Sequence, residues 1–168
     1  MSVQHFVDRP HRLVVSMFSG QVTLDQIAAA CTKLRHNHDF QPTYRQLADL
    51  SAVSQLSLHP EDINTIRMTY DPFSHQSRRA FVAPDSDTFG TVTAYGSAVE
   101  SPEFGVFPSM LDALSWLDLE VTVLDGTRIR STFRNQFAEG LTFDLLGGAS
   151  RTFRTIPAPA KKSQPGSH

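Results

Sequence analysis

The segment from Tyr44 to Leu58 constrains the fold of this chain more than any other stretch. It reads YRQLADLSAVSQLSL, with an apolar run from Leu47 to Leu50 that follows two polar residues. A short apolar run with these boundaries predicts a buried central strand. We expect the serine-rich residues Ser51 to Ser57 to form a loop at its carboxyl end, because parallel sheets commonly present a binding edge there.

Strands and helices are predicted to alternate around this segment. Val3 to Val7 and Arg12 to Phe18 flank a turn at Asp8 to His11, which predicts an antiparallel hairpin. The other predicted elements are helices beginning at Thr23, near residue 60, at Ser86 or Asp87 and at Ser109, and strands at Arg78 to Ala83 and Phe104 to Phe107. This order predicts an α/β domain with a mixed β-sheet, an opening hairpin and right-handed helix crossovers.

The last third of the chain differs in charge from the rest. Residues 1–118 carry 8 basic and 13 acidic side chains, whereas residues 119–168 carry 7 and 4. Asp125-Gly126 predicts a β-hairpin between residues 120–124 and 127–133, and residues 141–146 and 152–156 suit two further short strands. We therefore predict an α/β domain over 1–118, a C-terminal extension over 119–156 and a disordered tail over 157–168.

Composition excludes several classes of protein. The net charge is -2 and Lys and Arg form no long cluster, which argues against a nucleic-acid partner. No apolar run reaches about 18 residues, so we expect no membrane-spanning helix. The single cysteine, Cys31, cannot form an intrachain disulfide, and the N-terminus lacks a signal-peptide pattern. A cytoplasmic location is the resulting expectation.

Few residues suggest catalysis or cofactor binding. His36, His38 and Asp39 could ligate a metal, but they suit the end of a helix better. Cys31 lies on the apolar face of a predicted helix, where a thiol is usually inert. The chain has no nucleophile-elbow and no phosphate-binding glycine motif. We expect no metal, no other cofactor and no catalytic residue.

Two polar positions at strand ends need an explanation. Asp49 lies in an otherwise apolar strand, and we expect loop amides near Val53 to hold its carboxylate. Arg78 and Arg79 could bind an anionic ligand. We predict instead that both arginines form a solvated strand start that pairs with nearby acids.

Residues 1 to about 118 resemble the STAS, or anti-sigma factor antagonist, fold. The resemblance rests on the opening hairpin, the Ser19-Gly20 step into a helix, the strand end Asp49 to Val53 and the helix SMLDALSWL. The elements RRAFVAPDS and FG are similar to those of uncharacterised bacterial STAS-like proteins. The resemblance implies a cytoplasmic domain that binds a protein partner and that, in the signalling branch, is switched by serine phosphorylation.

The phosphorylated sequence of the signalling branch, Asp-Ser-Ser-Gly, falls on Ser57 to Pro60 of this chain. Leu58 stands at the acceptor position and cannot be phosphorylated. The neighbouring Ser57 could accept a phosphate near a helix N-terminus, but a serine there more often caps the helix. We therefore expect that the phosphorylation switch is absent.

Two functions remain open after these observations. The first is a non-enzymatic protein-interaction or regulatory module that binds a protein partner or a second copy of itself, and the sequence favours it. Its candidate surface comprises Asp49, Ser51, Ser54, Ser57 and His59. The second is a small-ligand binder or enzyme with a pocket at the strand ends, in which Asp49, His59 and Arg79 supply the polar groups.

Overall fold

The computed structural model of the protein describes residues 2–125, 128–133, 140–144 and 155–156, with side chains up to Leu119. Its main sheet has five strands in the order β1-β2-β3-β4-β5. The bounds of the strands are β1 Val3–Asp8, β2 Leu13–Thr23, β3 Arg45–Ser57, β4 Arg79–Val82 and β5 Phe104–Phe107. β1 pairs with β2 antiparallel, and the other neighbours pair in parallel. The predicted α/β fold with an opening hairpin is confirmed.

Four α-helices connect the parallel strands and follow the last one. They are α1 Leu24–Arg35, α2 Pro60–Thr65, α3 Ser86–Val99 and α4 Met110–Trp116. Thr23 begins α1 as predicted, and its backbone N–H donates to Gln26 Oε1 at 3.0 Å. The N-cap of α3 is Asp85 rather than Ser86 or Asp87, because the Asp85 carboxylate accepts the Thr88 N–H at 2.9 Å. None of the described helices is long and apolar enough to cross a membrane.

A π-helical segment, Ile66–Tyr70, continues α2. The Asp71 N–H donates to the Ile66 carbonyl, five residues earlier, at 2.8 Å. This spacing is that of a π-helix, whose turn is wider than that of an α-helix, and the segment ends at Asp71. Asp71-Pro72 in the sequence predicts a helix end or kink, because the residue before a proline avoids the helical region, and the structure confirms an end there. The Arg35 guanidinium donates to the carbonyl of Tyr70 at 3.1 Å and ties this end of the segment to α1.

The central strand is longer than the sequence pattern indicated. We predicted a loop over Ser51 to Ser57, but these residues continue β3 and pair with Ser19 to Thr23 of β2. The pairing shifts register on both sides of Gly20, whose φ of +64° favours glycine. Because the bulge lets both strands run on past their apolar parts, the polar Ser51–Ser57 stretch is strand rather than loop.

The sheet buries a separate apolar core on each face. Leu13, Val15, Leu47 and Val82 pack against α4 on one face. Alternate residues of the same strands point to the other face, where α1, α2 and α3 lie. Apolar residues on that face include Val3, Val14, Ala48, Leu50 and Phe81. Each side chain of the sheet can therefore be assigned to the α4 face or to the three-helix face.

The C-terminal strands form a second, antiparallel sheet. Its members are β6 Leu119–Asp125, β7 Arg128–Phe133, β8 Gly140–Asp144 and β9 Thr155–Ile156. The predicted hairpin is confirmed by the pairing of β6 with β7. Leu119 is buried in the core on the α4 face of the main sheet. The domain boundary at residue 118 stays a prediction, and the tail 157–168 lies outside the described residues.

Because β3 is buried at Leu50 and exposed at Ser54, we predict unequal effects of substitutions at these two positions, which are four residues apart. Leu50→Asp should lower the free energy of unfolding by several kcal/mol, because a charge without a partner would enter the core. Ser54→Ala, at an exposed position of the same strand, should change it by less than about 0.5 kcal/mol. Urea melts of both variants measure the difference, and equal destabilisation would show that β3 is wrongly placed.

Candidate functional site

A row of polar side chains crosses the three-helix face of the main sheet. His5, Ser16, Gln46 and Arg79 come from β1, β2, β3 and β4 in turn. His5 lies opposite Ser16, and Gln46 lies opposite Arg79. Ser16, Gln46 and Arg79 are buried, and His5 is partly buried. A continuous polar row at this depth is unusual, because buried polar groups destabilise a fold unless they are hydrogen-bonded.

Each member of the row is hydrogen-bonded to the next. Arg79 Nε donates to Gln46 Oε1 at 2.8 Å, and Gln46 Nε2 donates to Ser16 Oγ at 2.8 Å. Ser16 Oγ lies 2.8 Å from His5 Nδ1. The four strands are thus joined through their side chains as well as through the backbone ladder.

The row ends at a buried ion pair that connects the sheet to the helices. Arg79 Nη1 donates to Asp71 Oδ2 at 2.7 Å, and both side chains are less than a tenth exposed. Tyr95, from α3, accepts from Arg79 Nη2 at 3.2 Å and donates to Asp71 Oδ2 at 2.5 Å. Because the π-helical segment ends on Asp71, its wider turn delivers this carboxylate to the guanidinium. All three nitrogens of Arg79 are therefore occupied by protein partners.

Four aromatic rings surround the Arg79 guanidinium and form what we term the aromatic cage. The ring centroids lie 4.7 to 5.7 Å from the guanidinium carbon, within the range of a cation–π interaction, and belong to Phe73, Phe81, Tyr95 and Phe104. Phe104 stacks on Phe81 at 4.7 Å. A Cβ at Gly96 would lie only 2.5 Å from the Phe104 ring, so glycine at that position of α3 allows the ring to take its place.

The chemistry of Arg79 fixes the direction of the hydrogen bonds from β4 to β2. A guanidinium only donates, so Gln46 accepts through its oxygen and donates through its nitrogen. Ser16 Oγ then accepts from Gln46 Nε2, and it also lies within hydrogen-bond distance of His5 Nδ1. His5 Nε2 is buried and has no hydrogen-bond partner among the described residues.

Burial governs the titration of the groups in this region. It lowers the pKa of His5 to about 4, so the imidazole is neutral at pH 7. Burial raises the pKa of Tyr95 above its ordinary value, and it raises that of the Cys31 thiol to about 12. Burial by itself would lower the pKa of Arg79, but Tyr95 and Asp71 outweigh it and raise the pKa. The Arg79 guanidinium therefore stays charged and the Cys31 thiol stays protonated.

A cavity of about 70 Å³ lies between the polar row and the helices. Side chains of the row and apolar side chains line it together, among them His5, Gln46, Arg79, Phe18, Leu56 and Ile66. Ligand pockets usually measure roughly 300 Å³ or more. The space beside Arg79 is consequently smaller than most ligands need, and each nitrogen of the guanidinium that borders it already donates to a protein group.

Asp49 and Arg79, which we considered as parts of one pocket, do not meet. Strand alternation places Asp49 on the α4 face with Leu47, whereas Arg79 is on the three-helix face. The Asp49 carboxylate accepts from the Ser51 N–H at 2.9 Å and from the Ser51 hydroxyl. We expected loop amides near Val53 to hold this carboxylate, and the structure shows Ser51 donating to it twice.

The remaining candidates lie at the end of β3 and the start of α2. Ser54 and His59 are exposed, and Ser57 is partly buried. Gln21 Nε2 donates to Ser57 Oγ at 3.3 Å, and the His59 N–H donates to Asp62 Oδ2 at 2.7 Å. Neither Asp49 nor His59 lines the cavity beside Arg79.

The prediction that Arg78 and Arg79 are both solvated is wrong for Arg79. Arg78 lies 3.2 Å from Glu103 and 2.7 Å from Asp118, and its side chain is 31% exposed. Arg79 is 3% exposed because its side chain points to the opposite face of β4. Sequence reasoning missed the whole polar row, although its members share strand parity with apolar neighbours such as Val3, Val14, Ala48 and Phe81.

Comparison with known proteins adds the following. No family model matches the chain, and no curated protein matches it. Among solved structures, the chain is similar to an uncharacterized protein of the DUF3478 family with a SpoIIAA-like fold from Shewanella loihica PV-4. The two are 19% identical, the similarity covers 68% of this chain and 91% of that one, and the TM-score is 0.47.

Two substitutions compare the buried ion pair of Arg79 with the exposed ion pairs of its neighbour Arg78. Asp71→Ala should destabilise the protein by about 3–5 kcal/mol, because the Arg79 charge would stay buried without its carboxylate. Arg78→Met should cost about 1 kcal/mol or less, since its ion pairs are solvent-exposed. Urea melts at neutral pH give both values. A small effect of Asp71→Ala would refute the paired state of Arg79.

The low pKa of His5 predicts a dependence of stability on pH. The unfolded chain binds a proton at His5 near its ordinary pKa of 6.5, but the folded protein binds it only near pH 4. The free energy of unfolding contributed by neutral His5 is therefore complete above pH 6.5 and falls by up to about 3 kcal/mol as the pH drops to 4. The advantage of the wild type over His5→Gln in urea melts should shrink across this range. A constant difference would contradict it.

Proposed function

We propose that this chain is a non-enzymatic protein-interaction module of STAS-like type. Its partner surface would comprise the end of β3, α2 and the π-helical segment. The observation that carries the proposal is the shallow attachment of α2, none of whose residues is buried. The next segment buries Ile66 and presents Met68 with 71% of its surface exposed. Methionine at an exposed site adapts to varied apolar partners.

The interior of the domain supports a binding role rather than catalysis. The three Arg79 nitrogens are occupied by protein groups, and Asp49 is held by Ser51. The thiol of Cys31 stays protonated because burial raises its pKa to about 12. Among residues 2–119, no group of three His, Cys, Asp or Glu side chains could hold a metal ion. We therefore regard Arg79, Asp49 and Cys31 as structural groups.

Binding at this surface is proposed to be independent of a phosphate at the acceptor position of the signalling branch. Leu58 stands there, and its side chain packs against the apolar cluster that includes Val22 and Ile66. Ser57, the neighbouring hydroxyl, accepts a hydrogen bond from Gln21 across the β2–β3 pair. Because the partly buried Leu58 cannot carry a phosphate, we propose that this surface binds its partner constitutively.

Site-specific photo-cross-linking tests the proposed surface. A photoreactive residue at Met68 should capture a protein from cell extract, whereas the same residue at Leu111, 42% exposed on α4 behind the opposite face of the sheet, should not. Met68→Glu should lower recovery of that protein by roughly tenfold or more, because a charge would enter an apolar contact. Leu111→Glu should leave it unchanged.

Equal cross-linking from both positions, or none from Met68, would contradict the proposed surface. The intact mass of the protein recovered from the extract tests the constitutive state in the same experiment. We expect no phosphate adduct, and an adduct that maps to Ser57 would show that a switch exists.

A further inference from the structure

Strand β1 is an outer strand of the main sheet in the described part of the chain. The Ser19 N–H donates to the Ser2 carbonyl at 2.8 Å, which fixes the phase of the ladder between β1 and β2. In an antiparallel pair, alternate residues direct their backbone groups to the partner strand. Val3, His5 and Val7 therefore direct their N–H and C=O groups outward, as a template on which another strand could pair.

A cleft of about 230 Å³ runs along this outer edge. Its lining from β1 is Val3, Gln4, His5 and Phe6, and its lining from α1 and the residues after it is Ala30, Lys33, Leu34 and Asn37. Because successive side chains of a strand point to opposite faces, a cleft bordered by four consecutive residues lies beside the strand rather than on one face. The outward backbone groups and the helix thus border the same space.

The cleft carries positive charge and hydrogen-bond donors. Lys33 is the one charged residue in its lining, with no ion pair among the described side chains. Asn37 Oδ1 already accepts the Asp39 N–H at 2.9 Å, which leaves its NH₂ group to donate. His5 stays neutral, so Lys33 alone supplies the charge of the lining. An acidic group is the complement of such a lining.

We propose that the outer edge of β1 binds an extended peptide segment of a partner protein as a sixth strand, with an acidic side chain of that segment next to Lys33. Backbone hydrogen bonds to Val3, His5 and Val7 supply affinity that is independent of sequence. The charge of Lys33 and the apolar walls of the cleft supply the preference for an acidic residue among apolar ones.

Two other occupants fit this edge less well. The tail of the chain, residues 157–168, contains Lys161 and Lys162 and no acidic residue, so it would repel Lys33. If two copies paired through β1, the two-fold symmetry would place both Lys33 side chains in the same interface, where like charges repel. A partner segment with an acidic residue avoids both conflicts. This inference is independent of the surface around Met68.

Selection from a phage-displayed library of random eight-residue peptides on the full-length chain tests the proposal. We expect selected peptides to alternate apolar residues and to contain Asp or Glu. A synthetic peptide of the selected sequence should bind roughly tenfold or more weakly to Lys33→Glu, because attraction becomes repulsion. The same peptide with Lys in place of its acidic residue should reverse that order.

A proline at an outward position separates strand addition from other binding modes. Val7→Pro removes an N–H that points away from β2, and proline is tolerated at such positions of edge strands. We expect urea melts to show a folded protein and peptide binding to be lost. If Val7→Pro is unfolded, the Lys33 comparison decides alone, because Lys33 is exposed.

Selection without enrichment of acidic residues, no selected peptide, or unchanged binding to both variants would overturn the proposal. Concentration-dependent dimerisation that Val7→Pro abolishes would show instead that a second copy occupies the edge. Met68→Glu should leave peptide binding unchanged, so failure here and failure of the Met68 surface can be told apart.

Discussion

The packing of the helices on the three-helix face depends on the buried ion pair between Arg79 and Asp71. A charge in an apolar interior is tolerated only when it is paired and its donors are satisfied. Asp71 provides the opposite charge, Tyr95 and Gln46 accept further hydrogen bonds, and the aromatic cage surrounds the guanidinium. These partners come from β3, the end of the π-helical segment and α3. One side chain therefore fixes the position of three separate elements relative to the sheet.

The same guanidinium orders the hydrogen bonds of the sheet as far as β2. Because it only donates, it determines how the Gln46 amide is oriented and makes Ser16 Oγ an acceptor from Gln46 Nε2. An arginine on β4 thus sets the direction of a side-chain hydrogen bond between β3 and β2. Hydrogen bonds in such chains strengthen one another at low dielectric, so loss of one member would be felt by the others.

The sequence predicted the local elements well because their signals are local. The capping pair Thr23 and Gln26, the helix end at Asp71-Pro72 and the apolar runs of β2 and β4 each identify an element within a few residues. The extension of β3 through Ser51–Ser57 escaped prediction because it depends on pairing with β2 across a bulge at Gly20. A serine-rich segment reads as a loop when its partner strand is not known.

The polar row was hidden for a related reason. Gln46 and Arg79 look like ordinary polar residues at a strand start and Ser16 like one within a strand, and they become a network only when the register of the strands is known. Asp71 and Tyr95 join this network from outside the sheet, at 8 and 16 residues from Arg79 in the sequence. For Asp49 we expected loop amides near Val53, and the donors observed are the N–H and hydroxyl of Ser51, two residues away.

The two glycines inside α3 show how the network around Arg79 limits the residues that can occupy this helix. Gly90 has open space where a Cβ would stand, whereas at Gly96 the Phe104 ring occupies that space. Glycine weakens a helix by about 1 kcal/mol relative to alanine at either position. A substitution of glycine by alanine would therefore be accommodated at Gly90, whereas at Gly96 the new Cβ would clash with Phe104. Gly96, one of the two weakest residues of the helix by propensity, is the one that lets the cage form around Arg79.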